Sequence, residues 1–302
     1  MATASAAPAT PLDRLRTYGS FVRFEHTLFS LPLIIAGVFS APGPPLSAAR
    51  WALIAVAAVG ARTAAMALNR LIDRRLDALN PRTRARELPA GRMHIAEAWL
   101  LLAVSASVYL VACAALGPWF LKVAAIPLAV FTAYPYLKRF TPLCHFGVGA
   151  ALALAPLAGY AAAHPDLVLI TPALWLSAFA LAWVSGFDII YATLDEAFDR
   201  AHGVRSMVAW LGRKRALTVA AVLHAAAFLC LVCAVIVLLG PSPHRTAWAM
   251  PASLLALATT GVLLYLEQRW AEDVDLAFFK VNVFVGFGVL ATVLAARAAG
   301  GF

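Results

Sequence analysis

Leu217–Leu239, LTVAAVLHAAAFLCLVCAVIVLL, is a stretch of 23 residues without Asp, Glu, Lys or Arg. A transmembrane helix needs roughly 20 consecutive, mostly apolar residues. The whole 302-residue chain has the same character, since 63% of its residues are hydrophobic and only 13% are charged. An ordinary soluble domain carries about 25% charged residues. Because the apolar runs are long and continuous rather than alternating, the sequence predicts an all-α integral membrane protein and not a β-barrel.

Nine apolar segments predict nine transmembrane helices. The first is short and contains Pro32. Residues 1–25 are predicted to form an N-terminal tail and cytoplasmic lead-in, and residues 26–302 a single transmembrane domain. Met1–Pro11 lacks the basic start and apolar run of a signal peptide and is interpreted as a disordered tail. The nine segments are His26–Ser40, Trp51–Leu71, Ala96–Leu116, Trp119–Leu137, Leu143–Ala163, Leu167–Tyr191, Leu217–Leu239, Ala247–Leu266 and Phe278–Ala298.

The distribution of basic residues predicts the orientation in the membrane. With the N-terminus in the cytoplasm, 19 of the 24 Lys and Arg residues fall on cytoplasmic segments, as the positive-inside rule requires. This favours the cytoplasmic (inner) membrane and a C-terminus on the outer side. The formal net charge of +9 indicates lipid headgroups as the anionic partner. The sequence contains no compact basic domain that could bind nucleic acid, so nucleic acid is not expected as a partner.

The loops repeat with a period of four helices. Long polar loops follow the second and sixth segments, and shorter charged loops follow the fourth and eighth. This layout predicts two related four-helix units followed by a final helix.

The first acidic cluster lies at the cytoplasmic end of the second segment. Asn69, Asp73 and Asp77 are spaced i, i+4 and i+8. At about 100° per residue they drift by roughly 80° and so share one helix face. Three oxygen-bearing side chains are therefore expected to point into one volume.

The second acidic cluster lies at the cytoplasmic end of the sixth segment. Asp188, Asp195 and Asp199 are spaced i, i+7 and i+11, and Tyr191 is near the same stripe. A continuous helix would place the three carboxylates within about 20° of one another. The two clusters thus occupy equivalent positions in the two four-helix units, at the same membrane face.

Paired acidic helix ends predict a metal site. Like charges in a partly dry site repel each other unless a cation joins them. Hard oxygen ligands select Mg²⁺, which prefers a few carboxylates combined with phosphate oxygens. The alternative is a solvated helix end that merely carries charge. The arginines that follow the first cluster, between Pro81 and Pro89, are suited to bidentate contact with phosphate oxygens, or serve only as topogenic charge.

Three motifs resemble those of the UbiA superfamily of intramembrane aromatic prenyltransferases. Residues 69–91, NRLIDRRLDALNPRTRARELPAG, resemble its first signature, and residues 188–206, DIIYATLDEAFDRAHGVRS, resemble its second. Residues 134–141, YPYLKRFT, resemble the family's basic segment after helix 4. The run from Arg23 to Pro32 further favours the 4-hydroxybenzoate polyprenyltransferase-like branch, which serves ubiquinone synthesis and futalosine-route menaquinone synthesis.

The resemblance implies a fold, a reaction and a division of roles. Helices would surround a central cavity, and the loops after helices 2 and 6 would cap it. A polyprenyl group would pass from a prenyl diphosphate to an aromatic acid such as 4-hydroxybenzoate or a hydroxynaphthoate. The implied Mg²⁺ ligands are Asn69, Asp73, Asp77, Asp195 and Asp199, and the implied diphosphate-binding residues are Arg82, Arg86, Lys138 and Arg139.

The acceptor site is predicted deeper in the membrane. Asp188 is the carboxylate expected to accept a hydrogen bond from the acceptor's phenol, and Tyr191 is expected to orient the ring. Arg62 lies within the second segment, where an arginine is costly and is a functional candidate. It is predicted to bind the acceptor's carboxylate, with a structural ion pair as the alternative. Two alternatives stay open. A transporter or ion exchanger also uses intramembrane acids. A lyase or a pyrophosphatase on the same scaffold would need no acceptor.

Overall fold

All regular structure in the described part of the chain is helical. The computed structural model describes residues 10–23, 27–240, 248–271 and 277–300, and it contains no strand within these ranges. The all-α prediction is therefore confirmed. The helices are α1 Pro11–Phe21, α2 Thr27–Val38, α3 Ala48–Leu79, α4 Ile95–Leu116, α5 Pro118–Val123, α6 Ala125–Leu137, α7 Cys144–Ala163, α8 Thr171–Ala192, α9 Glu196–Ala201, α10 Met207–Leu211, α11 Arg213–Leu239, α12 Ala249–Arg269 and α13 Ala277–Gly300.

Eight helical stretches in these ranges are long and apolar enough to cross a membrane. One combines α5 with α6, and another runs from α8 through α9. The first predicted segment corresponds to α2, which has 12 residues and is about 18 Å long at 1.5 Å per residue. This is shorter than the hydrocarbon core of about 30 Å. The count of nine spans therefore stays a prediction.

Helix α1 lies within the residues predicted as a tail and lead-in, and it was not expected from the sequence. Residues 1–9 of the predicted tail lie outside the described part of the chain, as do residues 24–26 of the run that favours the 4-hydroxybenzoate branch. Thr10 begins α1 with a capping box, in which its hydroxyl accepts from the Asp13 amide at 3.2 Å and the Asp13 carboxylate accepts from the Thr10 amide. This is the Ser/Thr-x-x-acid signature of a helix start. Phe21, at the end of α1, is buried in a cluster that includes Leu71 of α3.

The helices surround a cavity, as the family resemblance implies. Contacts run in chain order from α3 through α4, α5, α6, α7, α8 and α11 to α12 and α13, and α2 packs against both α13 and α7. A largely apolar cavity of about 500 Å³ lies among α2 to α7. The division into two four-helix units stays a prediction, because α7 contacts α2 and α6 of the first unit as well as α8 of its own.

Candidate active site

The first acidic cluster occupies the last turns of α3. This helix ends at Leu79 because Asn80 adopts an extended conformation (φ −82°, ψ 121°), which a following proline favours. Asp73 and Asp77 are both buried, with 2% and 7% of their surface exposed. The predicted common helix face is therefore turned into the protein. Such carboxylates need partners, since burying an unpaired charge is costly.

Each buried carboxylate of α3 is paired with a cation from elsewhere in the chain. Lys138 donates to Asp73 Oδ2 at 2.5 Å, and Arg86 donates to Asp77 Oδ1 at 2.7 Å. The second carboxylate oxygen of Asp73, Oδ1, is buried and has no hydrogen-bond partner. That oxygen is a buried hydrogen-bond acceptor that the described residues leave unsatisfied.

The second acidic cluster is not on one continuous helix, so that expectation was wrong. α8 ends at Ala192, a single 3₁₀ turn covers Thr193–Asp195, and α9 begins at Glu196. The regular 100° step therefore does not connect Asp188 with Asp195 and Asp199. Asp195 lies in this tighter turn, and its carboxylate reaches Asn80 and Arg82 in the segment after α3.

Arg82 and Asp195 join the two clusters. Arg82 presents both Nε and Nη2 to the Asp195 carboxylate, with the Nε bond at 2.9 Å. The Asn80 amide donates to the same carboxylate at 2.9 Å. Burial lowers the pKa of Arg82, but its hydrogen bonds to Asp195 and the nearby negative charges outweigh burial, so the net shift is upward. The guanidinium also lies 5.2 Å from the ring centroid of Tyr191, which places that ring at this end of the site.

The remaining predicted groups lie around this pair of segments. Asp199 is buried and lies within electrostatic reach of Asp195 and Lys138. Arg139 donates to the Ile72 carbonyl at 3.1 Å and lies 4.9 Å from the Tyr136 ring. Arg82, Arg86 and Lys138 thus each bind a carboxylate, whereas Arg139 binds backbone.

The donor set fits a magnesium–diphosphate pair rather than a metal held by protein alone. Among the side chains that the structure describes, no group of three or more His, Cys, Asp or Glu residues is placed to hold a metal ion. Mg²⁺ is usually bound by one or two carboxylates together with substrate phosphates and water. Asp73 supplies a buried oxygen without a partner, and the cations beside it carry the charge that a diphosphate needs.

Arg62 and Asp188 both lie close to Tyr134. Arg62 and Tyr134 line the apolar cavity. Tyr134 is within electrostatic reach of both Arg62 and Asp188, and it is close enough to Asn69 for a side-chain hydrogen bond. Tyr134 was expected only as a member of the basic segment, residues 134–141. Its placement beside two predicted site residues follows from the packing of α6 against α3 and α7.

Asp188 has a partner that the sequence analysis missed. His145, the second residue of α7, is buried, and its Nδ1 lies 2.7 Å from Asp188 Oδ2. The chain has seven histidines, and nothing in their spacing distinguished this one. The contact arises because α7 and α8 pack along their length.

Comparison with known proteins agrees with this arrangement. Residues 30–296 match the UbiA prenyltransferase family. The chain belongs to the UbiA prenyltransferase family. It is therefore an integral membrane prenyltransferase, and the transporter alternative is set aside. The family match covers both acidic clusters and the basic segment between them.

Individual relatives of this UbiA chain support the assignment. The 4-hydroxybenzoate octaprenyltransferase of Cupriavidus necator is 33% identical over 241 residues, which cover 76% of this chain and 80% of the relative. The enzyme of the same name from a Marinomonas species is 29% identical over 212 residues, or 67% and 72% of the two chains.

Solved structures show the same fold. The apo structure of a UbiA homolog from Aeropyrum pernix K1 is 33% identical, covers 89% of this chain and 97% of its own, and superposes with a TM-score of 0.79. A UbiA homolog from Archaeoglobus fulgidus bound to GPP and Mg²⁺ is 18% identical, covers 95% of this chain and 100% of its own, and has a TM-score of 0.71. At that identity the second comparison supports the fold alone.

Proposed function

We propose that this UbiA prenyltransferase uses Mg²⁺ to transfer a polyprenyl group from a prenyl diphosphate to the ring of an aromatic acid, such as 4-hydroxybenzoate or a hydroxynaphthoate, in quinone biosynthesis. Two features carry the proposal. Acidic side chains at the end of α3 and in the turn after α8 pair with basic side chains from the loops after α3 and α6. An apolar cavity is lined by one arginine, Arg62. The names of its relatives, 4-hydroxybenzoate octaprenyltransferases, support this acceptor class.

The polar end of the site is assigned to the diphosphate. Bound Mg²⁺ would neutralise charge on the departing diphosphate. The ion pairs seen without substrate are suited to binding magnesium and diphosphate together. When a carboxylate turns to bind the metal, its basic partner becomes available to bind a phosphate oxygen, so each charged group again has a partner of opposite charge. The proposed metal ligands are Asn69, Asp73, Asp77, Asp195 and Asp199, and the proposed diphosphate contacts are Arg82, Arg86, Lys138 and Arg139.

The deeper end is assigned to the acceptor. Arg62 would bind the acid's carboxylate, since a carboxylate in an apolar cavity needs a charged partner. Asp188 would accept a hydrogen bond from the phenol and make the ring more nucleophilic. Tyr191 is proposed to orient the ring, and its contact with Arg82 would put it close to the end of the site assigned to the diphosphate.

The reaction follows from this arrangement. The carbon–oxygen bond of the prenyl diphosphate breaks, and its electron pair leaves with the diphosphate. The allylic carbon bonds to an electron-rich ring carbon, and the proton of that carbon then passes to the released diphosphate. An apolar cavity protects the allylic cation from water. The site is proposed to open toward the cytoplasm from the inner membrane, with residues 26–302 acting as one domain.

The test is a direct assay. Purified protein in lipid nanodiscs is incubated with labelled geranyl diphosphate and a panel of aromatic acids, with Mg²⁺ or with EDTA. We expect prenylated 4-hydroxybenzoate or hydroxynaphthoate with Mg²⁺ and no product with EDTA. Equal product formation in EDTA would refute the proposed requirement for Mg²⁺. Release of diphosphate without any prenylated acid would refute the proposed acceptor class.

A further inference from the structure

His145 occupies a buried position between three elements. It stands at the start of α7, faces Asp188 of α8 and contacts Met207 at the first turn of α10. Its side chain is 4% exposed. The residue therefore links the predicted acceptor-binding carboxylate with the segment that follows the second acidic cluster.

The two hydrogen bonds of His145 determine its tautomer. The Met207 backbone N–H points to His145 Nε2 at 3.2 Å. A backbone N–H can only donate, so Nε2 must present its lone pair and carries no hydrogen. In the neutral ring the hydrogen then resides on Nδ1, which donates to Asp188 Oδ2 at 2.7 Å.

This arrangement excludes one role for His145. Its accepting nitrogen is already bound to the Met207 amide, an N-terminal N–H of α10 that has no partner within its own helix. If Nε2 took up a proton, its N–H would point at the Met207 N–H, and the hydrogen bond between them would be lost. His145 is therefore not the base of the reaction.

We propose that His145 is a positioning residue for the acceptor, acting through Asp188. Its Nδ1–H holds Oδ2, which fixes the carboxylate and leaves Oδ1 to accept from the acceptor's phenol. The inference rests on the proposed function, in which Asp188 contacts the acceptor.

The first test compares His145→Leu with His145→Asn. Asn places an amide donor near the position of Nδ1, whereas Leu keeps volume and removes the donor. With geranyl diphosphate and 4-hydroxybenzoate, His145→Leu should lower kcat/KM for the acid by about tenfold to a hundredfold, the range expected when a buried acceptor loses its donor. The KM for geranyl diphosphate should change by less than about twofold, and His145→Asn should recover much of the loss.

A double-mutant cycle separates positioning from a merely structural role. In an Asp188→Asn background, His145→Leu should cost almost nothing more, because its target carboxylate is gone. The proposal would be overturned if His145→Leu lowered kcat/KM for the acid as much in the Asp188→Asn background as in the wild type. It would also be overturned if the variant mainly raised the KM for geranyl diphosphate. His164→Asn serves as the control, because His164 is a buried histidine at the other end of α7 that contacts the Val38 carbonyl.

A second measurement does not depend on activity. In wild-type protein labelled with ¹⁵N-histidine and assigned by comparison with His145→Asn, His145 should show a protonated Nδ1 and an unprotonated Nε2. The opposite tautomer, or a doubly protonated ring, would overturn the inference even if the enzyme prenylates 4-hydroxybenzoate. If no acid is prenylated, the proposed function fails while this measurement still decides the tautomer.

Discussion

Asp73 has one carboxylate oxygen bound by a lysine and a second oxygen without a partner. It is buried, its Oδ2 is held by Lys138 at 2.5 Å, and its Oδ1 has no hydrogen-bond partner. A carboxylate that served only to pair with a lysine would be expected to satisfy both oxygens, since buried polar groups nearly always find partners. The unsatisfied oxygen therefore favours a ligand role.

We predict that the metal site needs both segments. Asp73→Ala or Asp195→Ala should reduce turnover by about a hundredfold or more, because metal ligation supplies several kcal/mol of transition-state stabilisation. The protein should still insert into membranes. Turnover of labelled geranyl diphosphate provides the measurement, and Asp166→Ala, an exposed acid between α7 and α8, is the control. Full activity in either variant would remove that carboxylate from the site.

Arg62 and Asp188 should act on the acceptor and leave the diphosphate nearly unaffected. Arg62→Leu should raise the KM for the acid by about tenfold or more, since a carboxylate then loses its charged partner. Asp188→Asn should lower kcat. Steady-state kinetics with each substrate varied in turn separate the two effects, and Arg62→Lys, which keeps the charge, should be milder. A rise confined to the KM for geranyl diphosphate would assign these residues to the diphosphate end.

At the scale of elements, two long-range ion pairs hold the site together. Arg82 ties the segment after α3 to the segment after α8, and Lys138 ties the segment after α6 to α3. These are connections between chain segments, so each acidic cluster is completed by a cation from a different element. The same pairs neutralise the site before substrate binds, which suits a site that later takes a cation and an anion together.

The contact between α2 and α7 depends on two glycines. A Cβ added at Gly37 would overlap the Pro156 carbonyl, and one added at Gly159 would overlap the Ile34 carbonyl. Both obstacles are backbone atoms, so neither helix can adjust by rotating a side chain. His145 lies at the other end of α7, so the packing of α7 against α2 helps to set the position of His145 in the site.

Gly159→Ala should therefore destabilise the fold. We expect a cost of about 1–3 kcal/mol, the usual range for overpacking a close contact, and a lower midpoint of thermal unfolding in detergent. Gly19→Ala on α1 is the matched control, since a Cβ there meets nothing within 4 Å. Equal midpoints for the two variants would show that the helices separate without cost.

At the scale of the whole molecule, charge predicts orientation. The bias of basic residues predicts that the loops after α3 and α8 lie on the cytoplasmic side. In a background without the native cysteines, Arg84→Cys and His202→Cys should resist an impermeant thiol reagent added to intact cells. Asp166→Cys, in the loop predicted on the opposite side, should react. Labelling at position 84 or 202 from outside would reverse the topology.

The sequence by itself determined the helical membrane fold, the two acidic clusters and the family, because apolar length and side-chain spacing are properties of neighbouring residues. Only the tertiary structure decided which cation meets which carboxylate, since Lys138 and Asp73 are 65 positions apart and Arg82 and Asp195 are 113 apart. It also revealed the helix break after Ala192 and the contact of His145 with Asp188. Periodicity assumes that a helix continues, and it carries no information on how separate helices pack against one another.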